Sequence, residues 1–259
     1  MPAASALAGA GLSPDPISDL QQLTEYPFMV NALEAGTIVA VTAGAVGWFM
    51  VLRRQTFAGH TLSLMAFPGA TFALLLANFF GMFAWWGLFT WLPPYLSLPP
   101  DQGGRGFGAL GTTALLVVLN LFGMFPGYAG FGWVADRLGR RRSFVLYTGL
   151  AAILVPIYAL ARAPWLILVV GTATAFFGTG FFSGSGIIGS EIFPTHVRAR
   201  ALGFTYNGAR TMSAVAPYVI GRVGQARGLS WAFYLASVAF FFSMLAATQL
   251  PETRGKALD

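Results

Sequence analysis

The chain has 259 residues, of which 56% are hydrophobic, 15% aromatic and only 9% charged, and its formal net charge is +6. A soluble domain is about a quarter charged. This composition, with a mean hydropathy of +0.67, therefore excludes an ordinary soluble protein and indicates an integral membrane protein. The chain has no cysteine, which excludes disulfides and thiolate metal sites.

The amino-terminal residues differ from the rest of the chain in charge and in turn-forming residues. Residues 1–26 contain no Lys or Arg, so they lack the basic start of a secretory signal peptide. Their segment Ser13–Pro16 favours turns over a continued helix. We therefore expect residues 1–26 to be a short disordered extracytoplasmic tail.

Apolar blocks long enough to cross a bilayer come after this tail. A helix needs roughly 20 apolar residues to span a hydrocarbon core of about 30 Å, where no water satisfies open backbone groups. Seven such blocks occur: Phe28–Leu52, Thr71–Leu92, Gly108–Val134, Ser143–Ala161, Pro164–Ile188, Ala201–Gly221 and Trp231–Leu250. They predict an all-α polytopic membrane protein with about seven transmembrane helices.

Basic residues mark alternate junctions between these blocks. The more basic junctions carry Arg53, Arg54, Arg137, Arg140, Arg141, Arg142, Arg198, Arg200, Arg254 and Lys256. The opposite junctions carry Arg105, Arg162, Arg222 and Arg227, beside the turn-forming pairs Pro93–Pro94 and Pro99–Pro100. Since cytoplasmic loops are enriched in Lys and Arg, we expect a plasma-membrane protein with its amino terminus outside and its carboxy terminus in the cytoplasm. Basic clusters placed between apolar blocks do not indicate a nucleic-acid partner.

The most specific motif is a Gly-x3-Asp-Arg-x-Gly-Arg-Arg pattern between the third and fourth blocks. Its members are Gly132, Asp136, Arg137, Gly139, Arg140 and Arg141. The pattern resembles the cytoplasmic signature loop of the major facilitator superfamily. In that family the glycine lets two helices approach closely, the acid caps a neighbouring helix and the arginines pair across the cytoplasmic face. The alternative is an ordinary basic anchoring loop.

Two further motifs occur in the order that this resemblance implies. A second cytoplasmic motif comprises Glu191, Pro194, Thr195, Arg198, Arg200 and Gly203. A carboxy-terminal motif comprises Pro251, Glu252, Thr253, Arg254 and Gly255. Together the three motifs resemble the carboxy-terminal half of sugar-porter-like and organic-acid-porter-like members. The resemblance implies that residues 76–259 form helices seven to twelve, a six-helix half bundle.

Charges in these loops predict a network. Glu191 can pair with arginines that the chain also places at the cytoplasmic surface, and such networks hold one access state closed. Surface ion pairs are individually weak, so simple solvation of the charges is the alternative.

Few polar groups lie inside the apolar blocks. The candidate substrate-facing residues are Arg210, Asn207, Tyr206 and Asn120, with Tyr128, Trp85 and Trp86 weighed beside them. Arg210 is the sharpest candidate, because an unpaired cation inside a span is costly and normally faces a partner or an aqueous cavity. Snorkelling or a structural pair is the alternative for Arg210. The tryptophans fit a packed core or an interfacial belt better than a substrate site.

The segment before the half bundle resembles another family. A first helix ends in Arg53–Arg54 and is followed by Gly59-His60-Thr-Leu-Ser63 and a second apolar block. Over residues 27–75 this is similar to the start of the permease subunit of zinc- or manganese-type ABC importers, with His60 in place of the usual aspartate. The two resemblances change over inside Thr71–Leu92, so the chain looks like a junction of two unrelated permease fragments.

No metal site or cofactor is expected. His196 is the only histidine besides His60, and no Cys or nearby carboxylate completes a ligand set. The sequence also has no catalytic triad and no Gly-x4-Gly-Lys-Ser/Thr phosphate loop. We therefore expect a protein that is not an enzyme.

The first functional hypothesis is a secondary transporter of the major facilitator type that moves a small polar or anionic organic solute by alternating access. Six helices do not enclose the central site by themselves. The expected partners are therefore the lipid bilayer, a small-molecule solute, and a second copy or a separate amino-terminal half. The alternatives are a fragment of a metal-ion ABC importer permease, and a non-transporting membrane protein from a broken or fused gene.

Overall fold

The computed structural model describes residues 36–38, 41–42 and 68–255. The chain divides into two units between Ala66 and Phe67. In the first unit, residues 36–38 and 41–42 are helical and exposed. Residues 1–35, 39–40 and 43–67 lie outside the described residues. The predicted tail 1–26, most of the predicted first span Phe28–Leu52, and His60 are therefore not described.

Two long apolar helical stretches open the second unit. Helix α1 runs from Pro68 to Ser97, and the 3₁₀ turn Pro100–Gln102 follows it. Helix α2, Gly108–Val118, continues through a π-helical turn, Leu119–Met124, into α3, Phe125–Leu138. Helix α1 continues through Pro93 and Pro94, where the sequence predicts a turn. The missing N–H groups fall near the helix end, and the fully buried Tyr95 and Leu96 hold the last turn in place.

The remaining helices complete the half bundle. Helix α4 spans Arg140–Leu160 and α5 spans Pro164–Ile192. Helices α6, Arg198–Ser213, and α7, Ala216–Arg227, occupy the predicted block Ala201–Gly221, and α8 spans Leu229–Ala247. The predicted block is thus helical but interrupted at residues 214–215.

The helices pack around a shared apolar core. Helix α8 packs against α1 and α4, α5 packs against α3 and α4, and α1 packs against α6 and α7. Fully buried aromatic side chains fill the centre, among them Phe131, Phe144, Tyr147, Phe181 and Phe240. The fold is therefore the all-α helical bundle that the composition predicts.

Five stretches of the described residues are long and apolar enough to cross a membrane. They are Gly69–Ser97, Gly108–Leu138, Arg140–Leu160, Pro164–Ile192 and Leu229–Ala247. The pair α6–α7 does not meet that standard, because each piece is shorter than 18 residues. Both pieces nevertheless pack against α1.

Candidate functional site

The three predicted motifs meet at Arg140. Its Nε lies 3.1 Å from Glu191 Oε1, and its Nη1 lies 3.0 Å from Asp136 Oδ1. Its main-chain N–H donates to Glu252 Oε1 over 2.7 Å. The end of α3, the start of α4, the end of α5 and the segment after α8 are therefore tied to one residue. We call Asp136, Arg140, Glu191, Glu252 and Thr253 the Arg140 network, and the end of the bundle that holds it the basic end.

The two ion pairs of Arg140 differ in how far they are buried. The side chains of Arg140 and Glu191 are each 17% exposed, whereas that of Asp136 is 72% exposed. The Thr253 hydroxyl donates to Glu191 Oε2 and is itself buried. Since a surface ion pair contributes little and a shielded, multiply hydrogen-bonded one contributes more, Glu191 is the dominant partner of Arg140.

A carboxylate caps the start of α4, and it is the side chain of Glu252 rather than of Asp136. Gly139 directly precedes α4 and has a φ of +99°, which L side chains rarely adopt. A Cβ at Gly139 would lie 2.5 Å from Glu252 Oε2. Arg254 also links the carboxy-terminal segment to the signature loop, because its Nη1 donates to the Arg137 carbonyl over 2.6 Å. The glycine of the signature loop therefore makes room for an acid of the carboxy-terminal motif.

The second cytoplasmic motif forms a tight turn at the same end. Pro194 accepts the main-chain N–H groups of Val197 and Arg198 through its carbonyl, at 3.1 and 2.9 Å. Arg198 donates to the Phe193 carbonyl and to Thr195 Oγ1, each over 3.2 Å. Its guanidinium thus closes its own loop instead of reaching the Arg140 network.

Other motif residues have no part in that network. Arg137 stacks on the ring of Trp133, with the guanidinium carbon 3.6 Å from the ring centroid, a contact that the motif does not predict. A Cβ at Gly132 would meet no atom within 4 Å, and the same is true of Gly203. Gly255, Pro251, Arg141 and Arg200 contact no charged partner in the described part of the chain.

The intramembrane candidates of α6 share one stripe. Tyr206, Asn207 and Arg210 are spaced by three and four residues, so they point to the same side of the helix. Asn207 and Arg210 are exposed and Tyr206 is half-buried. Arg210 has no ion-pair partner among the described residues. It lies about 18 Å along the helix axis from Arg198, in the last turn of α6.

Aromatic side chains continue this surface across neighbouring helices. Tyr128 of α3 is 42% exposed and Trp86 of α1 is 36% exposed. The Tyr128 ring is 6.1 Å from that of Phe182, which meets Trp85 edge-on at 5.5 Å, and Trp85 meets Trp86 at 5.0 Å. We call the surface formed by Tyr206, Asn207, Arg210, Tyr128 and Trp86 the open face.

Hydrogen bonds fix the aromatic part of the open face. Trp85 Nε1 donates to Thr179 Oγ1 over 3.0 Å, so this indole belongs to the packed interior and orients its neighbours. The Ser183 hydroxyl donates to the Tyr128 carbonyl over 3.0 Å. Thr179 and Ser183 were not predicted from the sequence, because single hydroxyl residues in apolar helices carry no motif.

Asn120 is the one predicted substrate-facing residue that does not lie with the α6 candidates. It is exposed, and its side-chain amide donates to the Leu116 carbonyl of its own helix over 2.8 Å. No contact joins it to Arg210, Asn207 or Tyr206 among the described residues. The described residues also contain no group of three or more His, Asp or Glu side chains that could hold a metal ion.

The described part of the chain is thus a bundle of long apolar helices with an exposed stripe of polar side chains on α6. The family model of the Major Facilitator Superfamily matches residues 74–258. The chain therefore belongs to the major facilitator superfamily. A second model, of the ABC 3 transport family, matches residues 25–90, so both resemblances seen in the sequence are confirmed, and they overlap inside α1.

Curated relatives divide in the same way. Over 127 residues the chain is 35% identical to a metabolite transport protein of Haemophilus influenzae, a match that covers 49% of the chain and 31% of that protein. Over 128 residues it is 33% identical to a 4-methylmuconolactone transporter of Cupriavidus pinatubonensis, covering 49% and 30%. Over 62 residues it is 37% identical to the manganese import system permease protein ScaB of Streptococcus gordonii, covering 24% and 22%. Each match spans less than a third of the relative's length.

Among solved structures, the peptide transporter POT crystallised with alafosfalin superposes with a TM-score of 0.61 at 24% identity. The superposition covers 69% of this chain and 37% of that chain. This likeness shows the fold alone: the described bundle has the architecture of part of a full-length transporter.

Proposed function

We propose that this chain is one half of a secondary transporter that carries a small organic anion across the plasma membrane, and that it is not an enzyme. The observation that carries the proposal is Arg210, an exposed cation with no acidic partner in the described residues, and in a membrane-spanning half α6 would hold it near mid-membrane depth. Such a cation is costly in lipid unless it faces a water-filled path or an anion. The relative named as a 4-methylmuconolactone transporter supports a small organic solute.

The interruption beside Arg210 supports a binding site at that depth. Helix α6 ends at Ser213 and α7 begins at Ala216, because Pro217 has no N–H to donate to the Ser213 carbonyl. Discontinuous helices form the substrate sites of many transporters near the bilayer midplane. In the proposed site Arg210 binds the anionic group, while Asn207 and Tyr206 offer hydrogen bonds and the aromatic rings cover an unsaturated carbon skeleton.

Transport also requires a second six-helix half. Gly132 meets empty space where the family's glycine approaches another helix. The long helix Gly108–Leu138 is the least covered of the candidate spans, with 17% of its most apolar window buried against 33–50% in the others. A second copy of the chain or a separate amino-terminal half would cover this surface and close the open face into a cavity.

The finer topology is part of the same proposal. The arginines at the basic end support a cytoplasmic location for it, with the amino terminus outside and the carboxy terminus inside. Residues 1–26 would be a tail, 27–75 the metal-permease-like segment and 76–259 the transporter half. The match of residues 25–90 to an ABC family favours metal import as the second candidate function, and manganese uptake tests it.

The experiment is solute counterflow into liposomes that contain the full chain, alone and with a co-expressed amino-terminal half of a related transporter. The probes are radiolabelled small carboxylic acids, 4-methylmuconolactone and Mn²⁺. We expect organic flux that falls by more than about tenfold in Arg210→Gln, the loss of one charge-assisted contact, and is unchanged in Arg222→Gln, an exposed arginine of α7. Flux of Mn²⁺ alone, or no organic flux in either preparation, would contradict the proposal.

A further inference from the structure

An apolar groove runs along the outer surface of the bundle between α4 and α8. Its volume is about 530 Å³. Partly exposed apolar side chains form its walls, including Leu146, Ile153, Val238 and Phe241. The hydroxyl of Ser237 in its lining donates to the Ala152 carbonyl over 2.6 Å, so that group is satisfied within the protein. The groove therefore offers a hydrophobic surface without an open polar group along its length.

A second cavity, of about 450 Å³, continues this groove at the basic end. It shares Val145 and Leu146 with the groove, and its other walls are Arg141, Arg142 and Thr248. Arg142 and Ile153 are 11 residues apart on α4, which places them about 16 Å apart along the helix axis. The combined cavity is thus apolar over most of its length and basic at one end.

The two arginines of this cavity have no acidic partner in the described part of the chain. The acids at this end already belong to the Arg140 network: Glu191 and Asp136 pair with Arg140, and Glu252 caps the start of α4. The local charge at the mouth of the groove is therefore positive, and an anion from outside the chain would neutralise it.

We propose that this groove binds one anionic phospholipid of the leaflet at the basic end. One acyl chain lies in the apolar groove, and the phosphodiester contacts the guanidinium groups of Arg141 and Arg142. The groove opens to the hydrocarbon, so an acyl chain is its natural occupant, and the arginines stand at its end where head groups lie. A zwitterionic lipid fills the groove equally well but neutralises the arginines less, which gives the site its preference for net negative charge.

The location gives the lipid a structural consequence. Helix α4 begins within the Arg140 network, and Thr248 opens the segment that leads to Glu252 and Thr253. A lipid bound across α4 and α8 would hold together two elements that this network joins from the inside.

The test is native mass spectrometry of the delipidated full chain with phosphatidylglycerol and phosphatidylcholine of identical acyl chains. We expect phosphatidylglycerol to bind more tightly, and its affinity to fall about 25-fold in the double variant Arg141→Gln/Arg142→Gln, since each basic residue near a membrane surface contributes about fivefold. The matched control is Arg162→Gln/Arg227→Gln, which removes two exposed arginines at the opposite end and should leave the preference intact. Circular dichroism confirms that each variant is folded.

Two further arms separate the lipid from other anions. Glycerol 3-phosphate, which has the phosphate group without acyl chains, should not displace phosphatidylglycerol at millimolar concentration. Val238→Trp, which fills the groove and keeps both arginines, should weaken phosphatidylglycerol binding. Equal binding of the two lipids, an unchanged preference in the arginine double variant, or full displacement by glycerol 3-phosphate would each overturn the proposal.

Discussion

The guanidinium of Arg140 lies 3.1 Å from the carboxylate of Glu191, although the two residues are 51 positions apart in the chain. Arg140 is the first residue of α4, and Glu191 lies in the last turn of α5. Because the carboxy-terminal segment reaches the same pair through Glu252 and Thr253, this contact joins parts of the bundle that are remote in sequence. Removing this contact should therefore lower the stability of the whole bundle.

Glu191→Gln should lower the free energy of unfolding by about 1–3 kcal/mol. The amide keeps the shape of the carboxylate, but the largely buried guanidinium of Arg140 loses its main counter-charge. Denaturant unfolding of the purified chain in detergent, followed by circular dichroism, measures the change.

Asp136→Asn is the matched control for that change. It removes the other acid that pairs with Arg140, but this acid is 72% exposed and should contribute less than about 0.5 kcal/mol. An equal loss in both variants would show that burial does not decide the strength of these pairs.

Gly139→Ala should destabilise the chain more than Gly228→Ala. The two glycines precede α4 and α8 with nearly the same backbone, φ +99° and ψ 156° against φ +90° and ψ 153°. Both alanines incur backbone strain of about 1–3 kcal/mol. Only the Cβ at residue 139 also displaces Glu252, whereas at 228 it meets nothing within 4 Å. Unfolding free energies measured side by side give the difference, and equal losses would show that the Glu252 cap adds nothing to stability.

Gly127→Ala tests the close crossing of α3 and α5. A Cβ at Gly127 would overlap the Phe176 carbonyl, and the facing Gly180 has the Gly127 carbonyl 2.7 Å from its own Cβ position. The helices must separate, at a cost of roughly 1–3 kcal/mol. Gly132→Ala on the same helix meets open space and should be neutral or stabilising, because alanine is the better helix former. Thermal unfolding of the two variants in one detergent compares them, and a loss at residue 132 would contradict the geometry.

Motifs allowed the charged end of the bundle to be predicted from sequence, but they did not identify individual partners. Glu191 meets an arginine as predicted, because polar loops between spans collect at the same membrane surface. The cap that the resemblance assigned to Asp136 is provided by Glu252, which sequence could not show because the contact depends on how the segment after α8 folds back. The sequence could not show either that Arg141 has no acidic partner among the described residues.

Backbone irregularities were the part of the fold that hydropathy could not predict. The block Ala201–Gly221 was predicted as one continuous span, yet it is interrupted just before Pro217. The π-helical turn Leu119–Met124 precedes Pro126, which has no N–H for the Phe122 carbonyl. A proline marks each of these irregularities in the sequence. Proline alone does not predict an interruption, because α1 continues through Pro93 and Pro94.

Tyr95→Phe should weaken the closure of the bundle at the end opposite the Arg140 network. The Tyr95 hydroxyl donates to the Ala159 carbonyl over 3.0 Å and to the Tyr158 carbonyl over 3.3 Å, where α4 ends. Arg105 stacks on the Tyr95 ring at 4.5 Å and donates to the same Ala159 carbonyl over 2.7 Å. Phenylalanine keeps the ring and the stacking and loses only the hydroxyl, so the expected loss of unfolding free energy is about 1–2 kcal/mol.

Tyr218→Phe provides the comparison, since the Tyr218 side chain is 52% exposed and its hydroxyl makes no hydrogen bond among the described residues. Hydrogen exchange at the last turn of α4 gives a local readout beside the global unfolding measurement. Exchange of the Ala161 amide, which donates to the Ile157 and Tyr158 carbonyls, should speed up in Tyr95→Phe and stay unchanged in Tyr218→Phe. Unchanged exchange in Tyr95→Phe would mean that the other donors to the Ala159 carbonyl, Arg105 and Ser230, are sufficient to hold this end of α4, and the tyrosine hydroxyl would then have no structural role there.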